Sequence, residues 1–191
     1  MASVGVIEDV QKILRIGASD RGDRRGVSAV EFALLAPALI ACYFGLAEMC
    51  GALLAERKAS HIASAVGDLV AQTTTIHDSD MTDIWTVSTT LMTPMSTASL
   101  KMRVTSIVAD VNGATTIAWT NSQGTWSPVI SAGQAITVPS GIVAASGSVI
   151  KSEASYTYTS PVSDFIPVPL TFNEVFYLAP RESTSVARVS P

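Results

Sequence analysis

Residues 27–55 (VSAVEFALLAPALIACYFGLAEMCGALLA) carry only two charges, Glu31 and Glu48, and residues 32–47 carry none. A helix rises about 1.5 Å per residue, so about 20 residues cross a hydrocarbon core of about 30 Å. The segment is long enough to span. Its Ala, Leu and Phe content, with few β-branched residues, favours a helix. A core helix of a soluble protein seldom stays apolar on every side for four turns, so the pattern predicts a transmembrane helix.

The flanks set its direction. Lys12, Arg15, Arg21, Arg24 and Arg25 precede the apolar run; Arg57 and Lys58 follow it, and the next basic residue is Lys101. The excess of cations on the N-terminal side predicts a cytoplasmic N-terminus and an extracytoplasmic body. A cleaved secretory signal fits less well, because the leader is long and mixed in charge and the apolar run is too long for a signal core.

Composition removes several classes. The chain is 48% hydrophobic and only 15% charged, which excludes an intrinsically disordered protein. Net charge is −4, and residues 59–191 hold five basic against nine acidic side chains, so no basic surface exists for nucleic acid. Two histidines and two cysteines leave little material for a metal centre or a Cys/His nucleophile. No catalytic residue, no metal and no cofactor is expected. Cys42 and Cys50 are separated by eight residues of helix, about 12 Å, beyond the reach of a disulfide, and read as packing residues.

Glu31 is the sharpest feature. A lone carboxylate in a spanning helix costs several kcal/mol unless it is paired or neutralised. It stands fifth after Gly26 in the pattern Arg24-Arg25-Gly26, four residues, Glu31-Phe32, then a long apolar helix. That arrangement resembles the N-terminus of type IV pilin-like precursors. The stretch 25–37 (RGVSAVEFALLAP) is similar to the signature helix of the TadE-like family, pilin-like proteins of the tight-adherence (Flp-type) pilus machinery. Residues 153–158 (EASYTY) and Pro180-Arg181 resemble later family features; Phe32 stands where the major subunits carry tyrosine.

The resemblance implies cleavage between Gly26 and Val27 by a membrane-embedded prepilin peptidase. It also implies that Glu31 and Phe32 act in subunit assembly, Glu31 neutralising the new α-amino group of a neighbouring subunit. The implied partners are the peptidase, other pilin-like subunits, the inner-membrane assembly platform and membrane lipid.

Beyond residue 55 the sequence remains helix-compatible. Ile62, Val66, Leu69 and Val70 recur at spacings of three and four, so one helix is expected from about Val27 to Ala71. Residues 73–80 break the pattern. A short helix over 81–91 follows, capped by Ser79 or Asp80, stopped before Pro94, with Met81, Ile84, Trp85 and Leu91 inward. Strands are expected from residue 100, over 115–120, 135–138, 148–158 and 185–189. Asn112-Gly113 signals a two-residue hairpin between the first two. Few crossover helices are available, so the sheet should be antiparallel. Pro161, Pro167 and Pro169 predict a rigid loop before residues 172–177, whose state the pattern leaves open.

The expected fold class is α+β and pilin-like: 1–26 a cytoplasmic leader, 27–55 a transmembrane helix, 56–72 its extension, 73–191 the extracytoplasmic domain. His77, Asp78, Asp80 and Asp83 cluster in sequence, but glycine is missing where a calcium loop needs it, so they read as a solvated turn and cap. Two functions follow from this organisation: a minor pilin or pseudopilin of the bacterial inner membrane, or an uncleaved, membrane-anchored extracytoplasmic binding module.

Overall fold

Helix α1, Arg24–Ala71, opens the described part of the chain and contains Pro37 without interruption. The architecture comes from a computed structural model that describes residues 24–160 and 169–189. Pro161, Pro167 and the leader before Arg24 lie outside the described residues. The chain divides into two units, Met1–Ala47 and Glu48–Pro191.

In the first unit every residue from Gly26 to Ala47 is exposed except the half-buried Ala36. The second unit is α+β, as expected. After α1 come β1 (Thr75–His77), α2 (Asp78–Leu91), β2 (Lys101–Ala109), β3 (Thr115–Gln123), β4 (Ser148–Tyr158), β5 (Leu170–Leu178) and β6 (Ala187–Val189). The main sheet has the order β3-β2-β4-β5, and all its pairings are antiparallel.

The part of α1 in the second unit buries Ala55, Ala59, Ile62, Ala63, Val66 and Val70. Gly51, Ala55, Ala59, Ala63 and Gly67 fall at every fourth position, and such a row of small residues lets a helix lie close to its neighbour. A Cβ on Gly67 would stand 2.5 Å from Leu178 Cδ1 and 3.0 Å from Ser152 Cβ, so β4 and β5 reach the helix at that point. Met102, Val104, Ile150, Ala154 and Tyr156 meet this face, and Met81 and Trp85 of α2 join the same core. Leu69, expected in the buried stripe, is instead 42% exposed. The alanine row turns that side of α1 inward and carries Leu69 past the edge.

Helix α2 begins three residues earlier than expected. Its N-cap is His77, whose N–H donates to Asp80 Oδ2 at 2.8 Å, so Asp80 works from the third helical position rather than as the cap. Leu91 sits at its exposed end. Lys58 Nζ of α1 donates to Leu91 O and Thr93 O at 2.9 and 2.8 Å, a cation on the carbonyls that α2 leaves open.

Three strand expectations need correction. The hairpin forms at Asn112-Gly113, but its loop is longer than two residues: Asp110 Oδ1 accepts the N–H groups of Asn112 and Ala114, both at 2.8 Å, and Gly113 takes φ +83. Residues 135–138 make a single bridge, Ala135 to Thr116, rather than a strand. Gly133 (φ +82) before them and Pro139 after them interrupt regular pairing. Residues 187–189 do form a strand, but it pairs in parallel with β1 in a separate two-stranded sheet. The triplet 75–77 joins it because Ile76 alone points inward, fully buried between two exposed neighbours. The undecided 172–177 stretch is the heart of β5.

Ile62 and Leu69 test this packing. Ile62→Ala should lower unfolding stability of the detergent-solubilised full chain by about 2–5 kcal/mol. Leu69→Ala should change it by no more than about 0.5 kcal/mol. Denaturant titration followed by circular dichroism reads both, and equal losses would contradict the assigned face.

Candidate functional site

The residues singled out by sequence share one helix. Gly26 and Val27 lie in the first turns of α1, and Glu31 and Phe32 one turn further on. Phe32 is 68% exposed and Glu31 is exposed, with no ion pair among the described residues. Val30, Leu34, Leu39, Tyr43 and Leu46 are all more than half exposed. Each large apolar side chain left in water forgoes about 1.5–3 kcal/mol of burial, so so many on one helix require an apolar surrounding. This is the one described helix long and apolar enough to cross a membrane.

Glu48 behaves differently. Although it interrupts an apolar run, it is only 8% exposed, and its Oε2 accepts the Tyr158 hydroxyl at 3.1 Å. Gly51 makes the contact possible: a Cβ there would stand 2.5 Å from the Tyr158 oxygen. Burial raises the Tyr158 pKa, and the hydrogen bond to Glu48 and the charge of that carboxylate push it further the same way. The phenol stays protonated and keeps donating. The sequence signal for this contact is the small residue at every fourth position from Gly51.

The far face of the sheet holds a buried charged group that sequence reading missed. Arg103 and Glu153 are directly paired across β2 and β4. Arg103 Nε donates to Glu153 Oε2 at 2.7 Å, and Lys151 Nζ lies 2.9 Å from Oε1. The Arg103 guanidinium lies 4.4 Å from the Trp126 ring centroid, and its Nη1 donates to Pro128 O at 3.2 Å. Burial opposes ionisation of Glu153, but the hydrogen bonds from Arg103 and Lys151, reinforced by their charges, outweigh it and hold the carboxyl below its ordinary pKa. A carboxylate clamped between two cations at that pKa has no proton to give at neutral pH. Its work is to hold two strands and the 126–128 loop together.

The remaining polar candidates are tied into the fold. Arg188 Nη2 pairs with Asp78, and Arg181 Nη2 with Asp68. The Arg181 N–H donates to Ala71 O at 2.9 Å, so Pro180-Arg181 closes the end of α1. His61 is exposed on α1. No group of three His, Cys, Asp or Glu side chains is gathered tightly enough for a metal among the described residues. Cys42 and Cys50 are exposed rather than packed within the chain.

Residues 26–68 match the model of the TadE-like protein family, which bears out the resemblance read from residues 25–37. The match begins at Gly26 and takes in Glu31, Glu48 and the whole small-residue row. No curated protein and no solved structure matches the chain.

Glu153 gives this region a pH signature. Its folded-state pKa is depressed, so its contribution is present above the ordinary carboxylate pKa of about 4.3 and is lost as pH falls through the lower folded value. Glu153→Gln should therefore lower stability at pH 7 by about 3–5 kcal/mol, leaving Arg103 buried without its anion. It should also flatten the acid side of the stability curve. Thermal unfolding between pH 3 and pH 7 measures both; an unchanged acid slope would refute the assignment.

Proposed function

We propose that this TadE-like chain is a minor pilin or pseudopilin of the tight-adherence pilus system, a structural component of pilus assembly and surface adhesion. The observation that carries the proposal is Glu31, the fifth residue after Gly26, exposed near the head of an apolar helix in the segment that the family matches. In this reading α1 crosses the bacterial inner membrane with its N-terminus in the cytoplasm and the sheet domain outside. Residues 1–26 are a leader, 27–55 span, 56–72 extend the helix and 73–191 form the exported domain. The absence of cysteine after Cys50 leaves that domain to be held by packing and ion pairs.

Prepilin peptidase would cut between Gly26 and Val27. The first turn of α1 contains that bond, and a first turn holds N–H groups with no partner inside the helix, so it opens to an extended form at small cost. Glycine at the cut keeps the backbone accessible to a protease cleft. The α-amino group freed on Val27 is cationic. In a bundle of such helices it would meet Glu31 of a neighbouring subunit, and the pair would fix the axial register while sparing both charges from hydrocarbon. Phe32 packs beside it. Other pilin-like subunits and the inner-membrane platform are the partners of the exposed apolar helix.

Protein recovered from a host with an active prepilin peptidase should begin at Val27, read by N-terminal sequencing or intact mass. An intact leader in functional protein would favour the uncleaved, anchored binding module instead. Glu31→Ala should insert in the membrane normally but reduce pilus assembly by at least about tenfold, since an unpaired charge in an apolar bundle costs several kcal/mol. Normal piliation in that variant would remove the pairing role.

A further inference from the structure

Three of the five basic residues that follow residue 58 stand on one face of the main sheet. Strand residues two apart share a face, and the register sets Lys101 and Arg103 of β2 beside Lys151 and Glu153 of β4. This is the face opposite the one that packs on α1. Glu153 is the one acid in the group, and residues 111–150, which include the loop over Arg103, carry no charge. Three cations against one anion leave an excess of two positive charges, in a chain whose net charge is −4.

Arg103 brings this excess to the wall of a cavity. Its side chain is nine-tenths buried; Nε donates to Glu153 Oε2 at 2.7 Å and Nη1 to Pro128 O at 3.2 Å. Nη2 has no acceptor among the described residues and is not sealed from water. A cavity of about 250 Å³ opens there, and Ser122, Thr125, Trp126, Val129 and Ile130 line it with Arg103. Ser122 is the direct cross-strand neighbour of Arg103, and its hydroxyl and that of Thr125 bond to no described residue. The Trp126 indole is held in place, its Nε1 donating to Met102 O at 3.1 Å.

These groups define an occupant. A guanidinium that is mostly buried is poorly hydrated, so an anion gains more beside it than at an open surface. Pockets for drug-sized ligands run to about 300–1,000 Å³, so this smaller one takes a single ring and not a chain of phosphates. The Ser122 and Thr125 hydroxyls suit hydroxyls on that ring, and Trp126, Val129 and Ile130 suit its apolar edges.

We propose that this cavity binds the carboxylate of a small hydroxylated ring acid, the class to which the uronic acids belong. Nη2 of Arg103 is its charged donor, and Ser122 and Thr125 are its rim. The site lies within the sheet domain, goes beyond the assembly role proposed above and does not depend on it.

The test titrates the full chain, in uncharged detergent at low salt, with sodium glucuronate and in parallel with glucose and with sodium acetate. Ligand-observed NMR should give glucuronate a Kd of about 1 mM or tighter, and the other two at least about tenfold weaker binding. Ser122→Asp sets a carboxylate of the protein's own opposite Arg103, and should weaken glucuronate binding at least about tenfold without lowering Tm. Thr125→Trp fills the cavity from an exposed position and should do the same, so a folding failure in one variant leaves the other to read. Absence of glucuronate binding to the native chain overturns the proposal. So does equal binding of glucose or acetate, and so does undiminished binding by either folded variant.

Discussion

A single helix here serves two surroundings, and the rest of the chain follows from how its side chains divide that task. From Gly26 to Ala47 its residues are mostly apolar and nearly all exposed, a surface that water disfavours by about 1.5–3 kcal/mol for each large side chain. From Glu48 onward the helix becomes two-faced: small residues at every fourth position turn inward while Met49, Leu53, Leu54 and His61 remain outside. Small residues do here what leucines do in an ordinary amphipathic helix. They bring the sheet close, and the bulk of the core comes from Met102, Ile150, Tyr156 and Trp85 on the other elements.

That division explains which parts were legible in the sequence. The long helix, the strand at 148–158 and the α+β class were readable because apolar periodicity over ten or more residues survives whatever it packs against. Leu69 was misplaced because a stripe counted by hydrophobicity gives no weight to Ala59, Ala63 and Gly67, which set the inward face. The strand expected at 135–138 alternates correctly but lies between Gly133 and Pro139, and backbone geometry overrides alternation over so short a span. Strand β1 was invisible: three residues with one buried side chain are a strand only because Ala187–Val189 come alongside.

The charged residues divide in the same way. Arg103, Lys151 and Glu153 each look like solvent-facing alternations along their strands, and only the register of β2 against β4 makes them a buried cluster. Removing Glu153 leaves Arg103 and Lys151 without their anion, so breaking the cluster there is costly whatever net stability it adds. Asp78 with Arg188 and Asp68 with Arg181 tie the C-terminal segment to α2 and α1 respectively, which accounts for those acids without a ligand. These charged groups of the described body hold strands and helices together.

Glu31 and Glu48 make the contrast complete. Both interrupt the same apolar run, and a carboxylate at either place needs compensation. Glu48 has its answer inside the chain, a tyrosine hydroxyl brought in over a glycine and kept protonated by its surroundings. Glu31 has no ion pair among the described residues: on its side of α1 stand Val27, Leu34 and Leu35, all exposed and apolar, and the hydroxyl of Ser28 one turn before it. A helix with one satisfied glutamate and one that looks outward differs from a plain anchor, for which either position could be leucine at no cost. In the proposed assembly the outward carboxylate would meet another molecule, and the chemistry that fits it in an apolar bundle is a cation held at the same depth.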